Sequence, residues 1–266
     1  QWSRGLGDVY KRQLQYRIEG QDAQLLAKGT SSAASLTVSF YVKSTKTGTF
    51  ILELMDNDNA REISKSYTIS SSNTWERKVI TFEGDTTGAL DDDNARSLTL
   101  QWWLVAGTNF TSGTLNTSWS DPATANRVVG QVNIADSTSN DWLLTGVQME
   151  VGEQATAFEH RSVHDDLAKC QRYFQFIDNF IWSGDVTSGS NYYFYSLRPV
   201  EMRSEPTVTI SNAAQSGFNA STIAAPGAGE ENSKYAISIL ATSDATQARG
   251  FFAGDDASDS EQYELS

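Results

Sequence analysis

Short runs in which apolar and polar side chains alternate recur along the first 151 residues, and this period of two constrains the fold more than any other feature. From Ser35, Leu36, Val38, Phe40 and Val42 alternate with Thr37, Ser39, Tyr41 and Lys43. Successive side chains of a strand point to opposite faces, so this pattern marks a strand with one face in a core. Strand-like runs follow at TFILELM (49–55), ISKSYTI (63–69), ERKVITF (76–82), SLTLQWWLV (97–105), RVVGQVNI (127–134) and WLLTGVQMEV (142–151), separated by turn-rich stretches such as KTG, DNDNA, SSSNT and ADSTSND. No helical period interrupts them. Seven short strands broken by turns predict an antiparallel β-sandwich or jelly roll.

The period then changes. Val163, Leu167, Cys170 and Phe174 fall at i, i+4, i+7 and i+11, one stripe of an α-helix, and Ser162 with Asp165 three residues on forms a capping box. Strand-like runs resume at FQFIDNFIW (174–182), NYYFYSLRPV (191–200), PTVTIS (206–211), YAISILAT (235–242), RGFFAG (249–254) and QYELS (262–266), around a long loop beginning QSGFNAS. The expected organisation is an all-β chain: a jelly-roll sandwich over 14–158, a linking helix over 159–174, and a smaller β-sandwich-like domain over 175–266. The stretch GLGDVYKRQ (5–13) resembles translated sequencing-adapter read-through, so residues 1–13 are read as an arm foreign to the fold.

With 33 acidic against 20 basic residues the formal charge is −13, which argues against nucleic acid as a partner, since that affinity rests on Lys and Arg displacing counterions. One cysteine makes no internal disulfide. No apolar run nears the roughly 18 residues that would insert into a membrane as a helix.

The segment FEHRSVHDDLAKC (158–170) gathers both histidines and the cysteine. A second cysteine and a third histidine are missing, so the common structural and His₃ zinc sets are excluded, while two His completed by Asp or Glu stays open. Cys170, on the apolar stripe, is expected to be a small buried hydrophobe. For a hard cation, Asp91, Asp92, Asp93 and Asn94 are candidate ligands of a structural calcium assembled from separated loops, although DNDNA (56–60) and DDDNA (91–95) both miss the EF-hand pattern. G-x-S-x-G, H-E-x-x-H, phosphate-loop and G-x-G-x-x-G motifs are absent, and carboxylate pairs are too numerous for the sequence to select one.

Aromatic side chains carry the case for binding. In SLTLQWWLV, parity places Leu98, Leu100, Trp102 and Leu104 on one face and Thr99, Gln101, Trp103 and Val105 on the other. Trp102 is then core, and Trp103 is a candidate sugar platform with Tyr41, Gln101 and Glu53 as neighbours, because an indole beside amides and carboxylates matches the apolar face and hydroxyl rim of a sugar. The alternative is that Trp103 packs under a loop or against the second domain.

The stretch TGVQMEVGEQATAFEHRSVHDDLAKCQRYF (145–174) resembles a segment of tail-fibre and tail-appendage proteins of tailed bacteriophages, most specifically in its CQRYF end. Residues 67–104 and PVEMRSEPTVTIS (199–211) are similar to flanking parts of the same proteins. Ala157, the Ser162–Val163 pair and Asp165–Asp166 depart from the pattern. The resemblance implies a virion role outside the host cell, in the tail, with other tail proteins and a host surface glycan as partners and a homotrimeric assembly; it supplies no catalytic residues. Two other readings stand beside it, a polysaccharide-degrading tailspike or glycosidase accessory module and a purely architectural subunit.

Overall fold

The structure is a computed structural model that describes residues 10–175, 181–187, 191–197, 199–203, 213–216, 236–242 and 247–254. Residues 1–9 of the arm, the runs PTVTIS and QYELS and most of the long loop lie outside the described residues. The chain divides into two units, residues 1–159 and 160–266.

The first unit is an antiparallel β-sandwich. Strands β1 (Lys11–Glu19), β2 (Leu36–Ser44), β3 (Gly48–Asp56), β4 (Arg61–Ile69), β5 (Glu76–Phe82), β6 (Arg96–Ala106) and β7 (Trp142–Val151) form one sheet in the order β1-β6-β3-β4 and another in the order β5-β2-β7. Six of these strands are runs whose alternation announced them. Their inward residues make one core: Val38, Phe40 and Val42 of β2 and Ile80 and Phe82 of β5 meet Phe50, Leu52 and Leu54 of β3, Ile63, Tyr67 and Ile69 of β4, and Leu98, Leu100 and Trp102 of β6. Phe40 sits edge-on to Trp102 and Tyr67 with ring centroids 5.8 and 5.3 Å away. Each such buried side chain contributes about 1.5–3 kcal/mol.

Two expectations are corrected. The run RVVGQVNI (127–134) is not a strand. Gly130 turns the chain there at φ +90°, Val128 is buried on the outer side of the first sheet, and Val132 packs against the main core. Conversely, β1 begins inside the supposed foreign arm: Lys11, Arg12 and Gln13 pair with Ala106, Val105 and Trp103 of β6. Of its alternating apolar positions Leu14 and Tyr16 are exposed and Ile18 packs against the core, which suits an edge strand.

One end of the sandwich is closed by ions. The Lys28 ammonium, buried, lies 2.6 Å from Asp56 at the end of β3 and 3.1 Å from Asp85 just after β5, and donates to the carbonyls of Thr87 at 2.7 Å and Gly88 at 3.0 Å. Asp85 also accepts from Arg61 Nε at 2.6 Å. Burial pushes the Asp85 carboxyl up, but hydrogen bonds from Arg61, Lys28 and the Thr87 amide outweigh it and hold the group below its usual range.

The second unit opens with α3 (Val163–Gln171), following the helical turns α1 (Gly20–Ala23) and α2 (Thr108–Thr111) of the first. Ser162 caps it as its sequence indicates, its hydroxyl accepting from the Asp165 amide at 3.2 Å and donating to the Asp165 carboxylate at 2.6 Å. The expected burial of Cys170 is corrected: it is exposed, as are Val163, Leu167 and Phe174 on the same stripe. A nine-residue helix otherwise built of His, Asp, Lys, Ala and Gln carries too little apolar surface to be seated by it. The remaining strands, β8 (Ile181–Val186), β9 (Asn191–Leu197), β10 (Ala213–Ser216), β11 (Ala236–Thr242) and β12 (Gln247–Gly254), pair antiparallel as β10-β12-β8 and β11-β9.

Lys28→Met leaves Asp56 and Asp85 buried without their shared cation, and is expected to cost about 3–5 kcal/mol in chemical denaturation, the scale of breaking a buried ion pair. A loss below about 1 kcal/mol would show that Arg61 alone neutralises this end.

Candidate binding face

A sandwich has two outer faces, and here they differ. Over the β1-β6-β3-β4 sheet, residues 107–131 fold back as a cover. Its backbone follows the free edge of β4, where Glu62 and Ser120 exchange hydrogen bonds at 2.9 and 3.1 Å and the Ser64 amide donates to Asn116 at 2.7 Å. The Ile51 amide donates to Gln131 Oε1 at 2.7 Å.

Trp103 lies beneath this cover and is 0 % exposed, packed with Ile51, Phe110 and Val128. Its indole N–H donates to Glu53 Oε2 at 2.9 Å. Arg127 grips the same carboxylate with Nε at 2.7 Å and Nη2 at 2.8 Å, stands 5.3 Å from the Trp103 ring centre, and reaches Glu62 Oε2 at 3.1 Å. Glu62 Oε1 accepts from the Asn116 amide group at 2.8 Å and from the Ala123 N–H at 3.2 Å. Asn116, a sequon residue in the sequence, is thus a structural donor. Gln101, also buried, accepts from Gln13 and Gln15 at 3.1 and 2.8 Å.

Burial pushes the Glu62 carboxyl up, the neighbouring charge of Glu53 adds to this, and Arg127, Ala123 and Asn116 pull it partly back, leaving it at about 7. Burial works against the Arg127 charge, but Glu53 and Glu62 together hold its value above the ordinary one.

The expected sugar platform therefore does not exist as drawn. Trp103, Gln101 and Glu53 do come together, but under cover, where no sugar reaches the indole. Tyr41 points out of the other sheet, on the opposite side of the sandwich.

The calcium candidates do not form a ligand set either. Asp93 turns its carboxylate onto the Ala95 amide at 2.8 Å, its carbonyl accepts from Gln21 at 2.9 Å, and the Asp91 carbonyl accepts from Gln24 at 3.1 Å. Two carbonyls of the loop thus fasten the segment around α1. Among the described residues, which include both histidines, no three His, Cys, Asp or Glu side chains are grouped to hold a metal. A cavity of about 20 Å³ beside Lys28, Asp85 and Trp119 has room for one water rather than a sugar.

The β5-β2-β7 sheet leaves part of its outer face open. The register sets its outward residues in rows: Val79, Ser39 and Gln148; Arg77, Tyr41 and Thr145; then Lys43 and Leu143, with Trp75 just ahead of β5. A strap, residues 152–159, closes one end. Thr37 donates to the Gly152 carbonyl at 2.7 Å, Arg77 to the Thr156 carbonyl at 2.6 Å, and Gln148 to the Thr156 hydroxyl at 2.9 Å. Tyr41 is 39 % and Trp75 44 % exposed, and Leu143, Val79, Val147 and, on the strap itself, Phe158 also reach solvent. The Lys43 ammonium lies 5.4 Å from the Trp75 ring centre. Gly146 adopts φ +58°, and a Cβ there would stand 3.1 Å from the Tyr41 ring. This position favours glycine because its conformation is left-handed and a side chain would have to displace the Tyr41 ring.

Of the four residues expected to bind, only Tyr41 lies on this open face; Trp75, Arg77, Lys43 and Leu143 were missed. The signal was present for Arg77 and Lys43, which share Tyr41's parity once β5 is paired with β2.

Trp103→Ala is expected to cost about 3–5 kcal/mol in chemical denaturation, as for a core aromatic. Trp103→Phe, which keeps most of the volume and loses the bond to Glu53, is expected to cost about 1–3 kcal/mol. Near-neutral values for both would show that the cover does not depend on this ring. No family model matches the chain, and no curated protein matches it.

Proposed function

We propose that this chain is a non-enzymatic binding component of a bacteriophage tail fibre, in which a jelly-roll domain of carbohydrate-binding type recognises glycans on the host surface. The observation that carries binding is the open face of the β5-β2-β7 sheet, where Tyr41 and Trp75 present half-exposed rings beside the donors of Lys43, Arg77 and Thr145. Aromatic rings flanked by polar groups suit a ligand with apolar C–H faces and a hydroxyl rim. The tail assignment, its homotrimeric state, its tail-protein partners and its place outside the host cell rest on the resemblance of residues 145–174. Glu53 and Glu62 lie beneath residues 107–131, so the glycosidase reading would draw on other carboxylates.

The test is a glycan array with the full chain, followed by titration of the best binder. Tyr41→Ala and Trp75→Ala are each expected to weaken binding about tenfold while changing stability by less than about 0.5 kcal/mol, because both rings stand outside the core. Saturable binding without turnover supports the reading. Polysaccharide cleavage would favour a tailspike, and the absence of any glycan ligand would favour an architectural subunit.

A further inference from the structure

Glu53 and Glu62 are both fully buried and share one guanidinium, that of Arg127. Arg127 directs both of its hydrogen bonds to Glu53; Glu62 Oε2 is closed off from water and has no hydrogen-bond partner. The charged groups that act on Glu62 are Glu53 from β3 and Arg127 from the cover. The other contacts are neutral, Asn116 and Ala123 from the cover. With both acids ionised the cluster carries one uncompensated negative charge in a space without solvent. The groups that would relieve Glu62, Arg127, Asn116 and Ala123, belong to the covering segment, while Trp103 of β6 donates to Glu53 alone.

We propose that Glu53, Glu62 and Arg127 form a proton-operated latch on the cover: a proton on Glu62 holds residues 107–131 closed over the sheet, and loss of that proton loosens them and uncovers Trp103 and Ile51. The direction follows from linkage. In the closed state the Glu62 carboxyl stands at about 7, against an ordinary 4.5, with burial as the largest cause; opening returns the group to water, so the closed state holds a proton that the open state releases. Closure is therefore fully favoured at low pH and weakens as pH rises through about 7. This is the reverse of a salt-bridged acid such as Asp85, whose contribution is lost as pH falls.

The experiment is hydrogen exchange of the full chain followed by mass spectrometry, with rates corrected for the intrinsic pH dependence of exchange, at steps from pH 6 to pH 8.5. Corrected exchange in residues 107–131 is expected to rise about tenfold across this range, the factor for a group titrating near 7 when closed and fully ionised when open. Glu62→Gln, neutral at every pH, is expected to remove the rise. Glu53→Gln leaves Glu62 as the sole partner of Arg127 and is expected to move the midpoint down by a unit or more; it decides the matter should Glu62→Gln not fold. A corrected rate flat within twofold in the wild type, an undiminished rise in Glu62→Gln, or an unmoved midpoint in Glu53→Gln would overturn the latch.

Discussion

Strands β3 and β6 are buried on both faces, and most of what is unusual in the first unit follows from this. In an ordinary sandwich the outward positions meet water, and polar residues there need no partners. Here Glu53, Thr99, Gln101 and Trp103 are outward and dry, so each requires a bond from protein. The chain of donors that results, from Trp103 and Arg127 to Glu53 and from Asn116 and Ala123 to Glu62, is also what seats residues 107–131. The cover serves β4 as well, since its backbone occupies an edge that would otherwise be open to pairing with another chain.

The two buried ionic clusters show how the count of charges decides the outcome of burial. At the end of the sandwich, Asp56 and Asp85 meet Lys28 and Arg61, two against two, and Asp85 is driven below its ordinary range. Under the cover, Glu53 and Glu62 meet Arg127 alone, and Glu62 is driven the other way. Both arrangements remove carboxylates from water. Only the first supplies enough positive charge to keep them all ionised.

Parity made much of the sandwich readable in advance, because a strand's two faces are written one residue apart. It placed Phe40, Leu100 and Trp102 in the core and turned Trp103 and Tyr41 away from it. It could not say which outer face is roofed, since the roof is an irregular segment held by tertiary contacts such as Val128 against Trp103 and Gln131 against Ile51. The valines of RVVGQVNI look like a strand for the same reason: they are apolar because they pack, but on two different layers. Trp75 escaped notice because it precedes β5, and Gly146, which marks the bulge beside Tyr41, is ambiguous without a register. In α3 the cap was legible from Ser162 and Asp165 alone, being local, whereas the exposure of Cys170 was not, because burial depends on what lies opposite.

The open face is interleaved with the core at single-residue intervals. Tyr41 lies between Phe40 and Val42, Val79 beside Ile80, Thr145 beside Leu144. Chemistry displayed outward is thus decoupled from packing directed inward, although the two share the same strands. A population of such chains can exchange the side chains at 41, 43, 75, 77, 143 and 145 and so change the chemistry of this face, while Val38, Phe40, Ile80 and Leu144 go on holding one fold. The rigidity of the sheet makes this exchange predictable, since a new side chain inherits a fixed position and direction from the backbone beneath it. The surface chemistry of this architecture can diversify in place, without insertion, longer loops or any cost to the core.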